Sequence, residues 1–141
     1  MILRFAKLDP DAKAPVRKHV TDAGIDVFAR EGHYIEGHAI ARVRTGITFE
    51  LNHDFMLLAM PKSGSDFTLG AGVIDPGYQG EIIVKVVNPH DYAIEIKQGD
   101  AVAQLIQVPI YIARLVELPL EIIHQVKTER AADGGIVRQG L

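Results

Sequence analysis

Residues 55–66 read FMLLAMPKSGSD, and this stretch decides the fold class. Phe55 to Met60 is an unbroken apolar run, the mark of a strand buried on both faces or set in the core of a barrel. Pro61-Lys62-Ser63-Gly64-Ser65-Asp66 then breaks it. Working outward, the same alternation of short apolar segment and turn recurs. Downstream, Leu69 to Ile74 is apolar and ends at Asp75-Pro76-Gly77-Tyr78, with Pro second and Gly third as a β-turn prefers. Glu81 to Val87 reads as a strand closed by Asn88-Pro89-His90-Asp91. Tyr92 to Lys97 alternates before Gln98-Gly99-Asp100, and Ala101 to Arg114 is apolar, interrupted by Pro109. Upstream, Ile2 to Leu8, Gly24 to Arg30 and Ala39 to Glu50 read as strands.

Turn signals thus fall about every 8–14 residues, and no stretch carries a long helical stripe. Ile and Val make up 29 of the 141 residues, and such β-branched side chains suit pleated sheets. The pattern predicts an all-β fold, a compact antiparallel sandwich or jelly-roll-like barrel. At most one short helix fits, near residues 65–68 or 117–120. Residues 1–126 are expected to form the barrel domain and residues 127–141 a flexible, Gly-containing tail.

Composition narrows the chemistry. There is no cysteine, which excludes thiol nucleophiles and cysteine-held zinc or iron–sulfur centres. Lys plus Arg is 15 and Asp plus Glu is 18, so the net charge of -3 gives no support to nucleic-acid binding. No apolar run approaches the roughly 20 residues of a membrane span, and the start MILRFAKLDPDAK does not read as a signal peptide. These features fit a cytoplasmic protein. The six histidines, at 19, 33, 38, 53, 90 and 124, show no metal-ligand spacing, and Ser63 lacks a nucleophile elbow.

Four features remain where chemistry could sit. The Lys62-Ser63-Gly64 loop offers an ammonium, a hydroxyl and a permissive backbone to phosphate oxygens, although such a loop is more often simply solvated. Asp75, at a strand end beside Val73 and Ile74, could orient water as a general base or merely cap its turn. Asp26 sits in an apolar strand, where it could hold a metal through water or face solvent. Tyr78 could offer a flat face to a ring, or belong to the rim of the core.

At these loops the sequence resembles the trimeric dUTP pyrophosphatase (dUTPase) family. Thr21-Asp22-Ala23-Gly24-Ile25-Asp26-Val27 resembles its first motif and Pro61-Lys62-Ser63-Gly64 its second. Residues 72–81, GVIDPGYQGE, resemble the third and are the most specific. Residues 99–105, GDAVAQL, resemble the fourth. Glu129-Arg130 followed by Gly134-Gly135 resembles a degraded fifth. The resemblance implies hydrolysis of dUTP to dUMP and pyrophosphate, with Asp75 activating a water against the α-phosphorus. It implies that Tyr78 packs under the deoxyribose, that the backbone of Gly72 and Ile83 reads the uracil edge, and that Val73 and Ile74 also bind substrate. Lys62, Ser63, Gly64 and Gln104 are implied to hold phosphates, and Asp26 to place a Mg²⁺ complex through water. Arg130 and the tail are implied to close over a site shared within a homotrimer.

The sequence departs from the family pattern in four places. Lys62 stands where arginine is usual, and the segment 65–69 is short. Ile136 replaces a base-stacking aromatic, and the tail carries an extra residue before Gly134-Gly135. Pyrophosphatase action on other deoxynucleoside triphosphates, a non-catalytic nucleotide-binding role and dCTP deamination are the alternatives. The related dCTP deaminase places a catalytic glutamate in the strand that here reads Ile83-Val84-Lys85-Val86. The apolar stretch from Val102 to Val116 could supply subunit contacts or be a buried strand.

Overall fold

The computed structural model of the chain describes residues 1–124 and 129. Arg130 and the Gly134-Gly135 pair lie outside the described residues. Among those described there are eleven strands and no helix. In chain order they are β1 (Phe5–Lys7), β2 (Gly24–Phe28), β3 (His33–Ile35), β4 (Ile40–Arg44), β5 (Ile47–Phe49) and β6 (Phe55–Met60), followed by β7 (Thr68–Leu69), β8 (Val73–Ile74), β9 (Ile83–Val87), β10 (Ile94–Ile96) and β11 (Ala101–Pro109). All pairings are antiparallel. The strands form a four-stranded sheet β2-β11-β6-β8, a three-stranded sheet β4-β9-β7, and the pairs β1-β5 and β10-β3. This is the expected jelly-roll-like, all-β architecture. No helix among the described residues is long and apolar enough to cross a membrane.

The core follows from the alternation. On β9, Val84 and Val86 point inward while Ile83, Lys85 and Val87 face the other way. β2 and β11 are different, because both faces of their shared sheet are covered near the centre. Val27, Val102, Ala103 and Leu105 are wholly buried there, with Leu57 of β6 beside them.

The structure divides two stretches that read as single strands. Ala39 to Glu50 becomes β4 and β5, which join different sheets. Between them the Thr45 hydroxyl donates to the Ile82 carbonyl at 2.7 Å, and Gly46 takes a φ of 70° that a side chain would resist. Leu69 to Ile74 likewise divides, with β7 beside β9 and β8 beside β6. The first strand is only Phe5–Lys7, and its three residues are exposed. The stretch from Val102 to Val116 also has two fates. Its first half is the core of β11, whereas Tyr111 and Leu115 are fully exposed.

The chain forms two units, Met1–Tyr111 and Ile112–Leu141. The first unit, which holds all the strands, ends at Tyr111. In the second unit the described residues form no strand, and a turn is closed by the Ile122 N–H donating to the Pro119 carbonyl at 2.9 Å.

One polar side chain ties the barrel's loops together. Asn88, next after β9, is fully buried. Its Nδ2 donates to the carbonyls of Tyr92 at 2.8 Å and of Ile35 and Glu36 at 3.1 Å, and its Oδ1 accepts from the His90 N–H at 2.9 Å. Truncation would strand several buried partners at once. Asn88→Ala is expected to destabilise the fold by about 2–4 kcal/mol. Urea unfolding should show a lower midpoint at an unchanged slope.

Candidate active site

Asp75 opens a tight turn at the end of β8. The Tyr78 N–H donates back to the Asp75 carbonyl at 3.1 Å, and Gly77 has a φ of 79°. Pro at the second position and a left-handed Gly at the third make this a type II turn. The turn leaves the Asp75 carboxylate exposed and brings Tyr78 back over the chain, where its hydroxyl donates to the Glu81 carbonyl at 2.7 Å. An open cleft of about 410 Å³ lies beside it. Val73, Ile74, Asp75, Tyr78 and Ile83 all line this cleft, so five of the residues singled out from sequence converge there. Gly72 lines a narrower recess of about 60 Å³ that shares Val73, Ile74 and Ile83 with the cleft. The Gly72 carbonyl accepts from the Ala59 N–H at 2.7 Å, which pins β8 to β6.

A second cluster gathers Asp26, Lys62 and Gln104. Asp26 is buried in the middle of β2, with Gln104 of β11 opposite it and an isolated bridge to Val16 on its other edge. Lys62 Nζ donates to both Asp26 carboxylate oxygens, at 2.7 and 2.8 Å. Gln104 lies against Gly24, where any side chain would collide with its amide, and its Nε2 donates to the Pro61 carbonyl at 3.0 Å. The phosphate-loop candidate is thereby anchored from below at Pro61 and Lys62. Its tip, Ser63 and Gly64, is exposed, and the Ser65 N–H closes the turn onto the Lys62 carbonyl at 3.0 Å. Nearby in the first motif, partial desolvation pushes the Asp22 carboxyl up. Hydrogen bonds from the His19 ring and backbone N–H, with the charges of His19 and Lys62, outweigh this and hold it below the ordinary carboxylate range.

The two clusters occupy opposite ends of β6. Ile74 pairs with Leu57, whereas Gln104 pairs with Met60, three residues further along and on the other side of β6. Strand geometry puts these positions roughly 14 Å apart, with Asp75 beyond Ile74. Lys62 and Gly64 line a separate cleft of about 320 Å³, and that cleft shares no residue with the one at Asp75. Sequence reasoning found both sets of residues but not their separation. It also placed Asp26 and Lys62 in separate roles, and it passed over Arg42 and Lys85, which line the Asp75 cleft. The available signal for the latter pair was alternation, which puts Arg42 on β4 and Lys85 on β9 facing away from the core.

Fold and site define a class, a small antiparallel all-β protein with a carboxylate presented on a turn beside an open cleft. The family description dUTPase matches residues 10–139, and the chain belongs to that family, one of dUTP diphosphatases. A deoxyuridine 5'-triphosphate nucleotidohydrolase of Picosynechococcus sp. is 33% identical over 99% of this chain and 99% of its own length. One from Mycolicibacterium vanbaalenii is 34% identical, covering 82% of this chain and 80% of its own. Among solved structures, the Staphylococcus bacteriophage 80alpha dUTPase with dUPNHPP has a TM-score of 0.86 at 25% identity, covering 95% of this chain and 96% of that one. A dUTPase mutant from phage phi11 of S. aureus, described with a structural Mg(II) ion, has a TM-score of 0.78 at 24% identity, covering 84% and 97%.

The Lys62–Asp26 pair makes a separable prediction. The Asp26 side chain is 13% exposed and that of Lys62 33%, so removing the cation leaves a largely buried carboxylate without its partner. Lys62→Met is expected to cost about 1–3 kcal/mol of folding stability. Adding Asp26→Asn should recover much of that loss in a double-mutant cycle measured by denaturation.

Proposed function

We propose that the protein hydrolyses dUTP to dUMP and pyrophosphate, with Asp75 as the general base. Family membership supports the substrate. The convergence of Asp75, Tyr78, Val73, Ile74 and Ile83 on one cleft carries the mechanism. The exposed Asp75 carboxylate accepts a proton from water as the water oxygen bonds to the α-phosphorus. The bond from that phosphorus to the bridging oxygen breaks, and pyrophosphate leaves with the electron pair. Tyr78, its hydroxyl held by the Glu81 carbonyl, presents its ring to the deoxyribose, and the Gly72 and Ile83 backbone borders the base.

The phosphates are assigned to Lys62, Ser63, Gly64 and Gln104, with Arg130 joining from the tail. Because these lie at the other end of β6 from Asp75, the site is assigned to a homotrimer, in which one chain's phosphate loop meets another's Asp75 cleft. Mg²⁺ fits as a passenger on the triphosphate. The described residues hold no cluster of three or more His, Asp or Glu able to cage a metal, and Mg²⁺ commonly stays on phosphates and waters. Each Asp26 oxygen keeps a lone pair beyond the one Lys62 uses, enough to hold such a water. Bound there, Mg²⁺ would spread the charge by which a triphosphate repels a nucleophile.

Incubation with dUTP and Mg²⁺ should release pyrophosphate and no ammonia, and dCTP should yield no ammonia. Asp75→Asn is expected to lower kcat at least about a hundredfold while retaining dUPNHPP binding. Full turnover by that variant would remove Asp75 from its role, and ammonia from dCTP would favour deamination. Light scattering should give the mass of three 15.5 kDa chains. A monomer with full activity would overturn the shared site.

A further inference from the structure

The phosphate loop is held at both of its ends and free at its tip. At its start, the Pro61 carbonyl accepts from Gln104 Nε2 at 3.0 Å, and Lys62 Nζ donates to both Asp26 carboxylate oxygens. At its tip, Ser63 and Gly64 are exposed, and a Cβ at Gly64 would meet no atom within 4 Å. The shape of the tip therefore follows from how the two ends are held. At the far end stands Asp66, and its partner is His90, which lies outside all five motif-like segments. His90 Nε2 is 2.8 Å from an Asp66 carboxylate oxygen and 2.9 Å from the Asp66 carbonyl oxygen. Both oxygens are acceptors, so this nitrogen carries its hydrogen and donates, whether the ring is neutral or charged.

His90 is itself firmly placed. Its backbone N–H donates to Asn88 Oδ1 at 2.9 Å, and its carbonyl accepts from the His38 N–H at 3.1 Å. Its ring stacks on Tyr92, with centroids 4.7 Å apart and planes 10° from parallel. The network of the buried Asn88 thus ends in an imidazole whose Nε2 reaches the loop. Sheet pairing explains the meeting. Val87, the last residue of β9, pairs with Thr68 of β7. Asp66, two residues before Thr68, therefore lies beside the turn that leaves β9, and His90 is the third residue of that turn. The Asp66 side chain is 69% exposed, and exposed pairs add little to global stability. The effect of this contact is on geometry: it fixes where the loop ends.

We propose that His90 is a positioning residue for phosphate binding, whose ring holds Asp66 and so sets the path of residues 62–65. The inference rests on the proposed function, which assigns the phosphates to this loop. With its far end released, the loop must be ordered at the moment of binding, and the entropy lost then is subtracted from affinity. The loss falls on ligands that carry β- and γ-phosphates. It spares a monophosphate, whose base, sugar and α-phosphate belong to the Asp75 cleft.

The test measures the affinity of dUPNHPP with Mg²⁺, and of dUMP, for the full chain and for the variants His90→Phe, His90→Asn and His90→Gln. Phenylalanine keeps the stack on Tyr92 and the backbone bonds but has no donor. Asparagine keeps a donor that is too short to reach Asp66. Glutamine places an amide nitrogen where Nε2 stood. dUPNHPP should bind about three- to tenfold more weakly to His90→Phe and His90→Asn, and His90→Gln should restore most of the loss. The affinity for dUMP should not change. In the unliganded protein the Ser65 amide, which closes the loop onto the Lys62 carbonyl, should exchange its hydrogen faster in His90→Phe, while the β6 and β11 amides keep their protection. If His90→Phe folds poorly, His90→Asn and the exchange measurement at low temperature carry the same comparison. A dUPNHPP-to-dUMP affinity ratio that stays fixed in the Phe and Asn variants overturns the inference. So does a parallel loss for both ligands, which would make His90 a structural residue only. An unaltered protein that releases no pyrophosphate from dUTP, or a Lys62→Met variant whose ratio stays fixed, overturns the underlying assignment of the phosphates instead.

Discussion

Leu105 of β11 lies opposite Ala59 of β6, and this register decides where every candidate functional residue falls. β11 runs between β2 and β6 with Val102, Ala103 and Leu105 sealed in the core. A slip by one residue would bring the polar Gln104 side chain into the packed position that Leu105 occupies. With that register fixed, Gln104 stands between Asp26 on one side and Met60 on the other. Its amide reaches Pro61, and Lys62 reaches Asp26. β8 joins the far edge of β6 at the opposite end, and Asp75 follows it out. The core thus holds two candidate functional loops in place and holds them apart.

The charges near these loops have three different surroundings. Lys62 and Asp26 form a partly buried pair with both carboxylate oxygens satisfied, so each removes the penalty of the other's burial. Glu81 gathers Arg44 and a backbone N–H at the strand break after β4, a structural arrangement that fixes the floor of the Asp75 cleft. Arg42 and Lys85 form no ion pair among the described residues. Since each of the three groups contains a cation on or beside a strand, sequence composition does not distinguish them. Only the side-chain contacts of the folded chain show which cation meets a carboxylate.

The parts of the fold legible in the sequence are those set by local chemistry. The Asp75–Tyr78 turn follows from Pro and Gly at fixed positions, and the Phe55–Met60 strand from an apolar run with a clean end. The breaks that were not legible depend on distant partners. Residues 40–49 keep a strand-like pattern across Thr45 and Gly46, and what divides them is the Thr45 hydroxyl on Ile82, 37 residues away. Asn88 has the composition of a turn residue, and its burial depends on carbonyls from the β3 region and from Tyr92. For the site, the loops were legible as motifs, whereas the Lys62–Asp26 bond spans 36 residues and leaves no local trace.

Lys62 ties its loop to the buried strand β2 through Asp26. An arginine fork is planar and wide and suits two parallel bonds to phosphate. At position 62 this chain instead places a single ammonium against both Asp26 carboxylate oxygens. Lys62 is thus a counterion to Asp26 that keeps a third donor for solvent or ligand. In the shared site proposed above, this ammonium answers to both Asp26 and phosphate. The loop's grip on phosphate is then coupled to the burial of a β2 carboxylate, while the Asp75 cleft, fixed by its own turn and by the β8–β6 pairing, is independent of it.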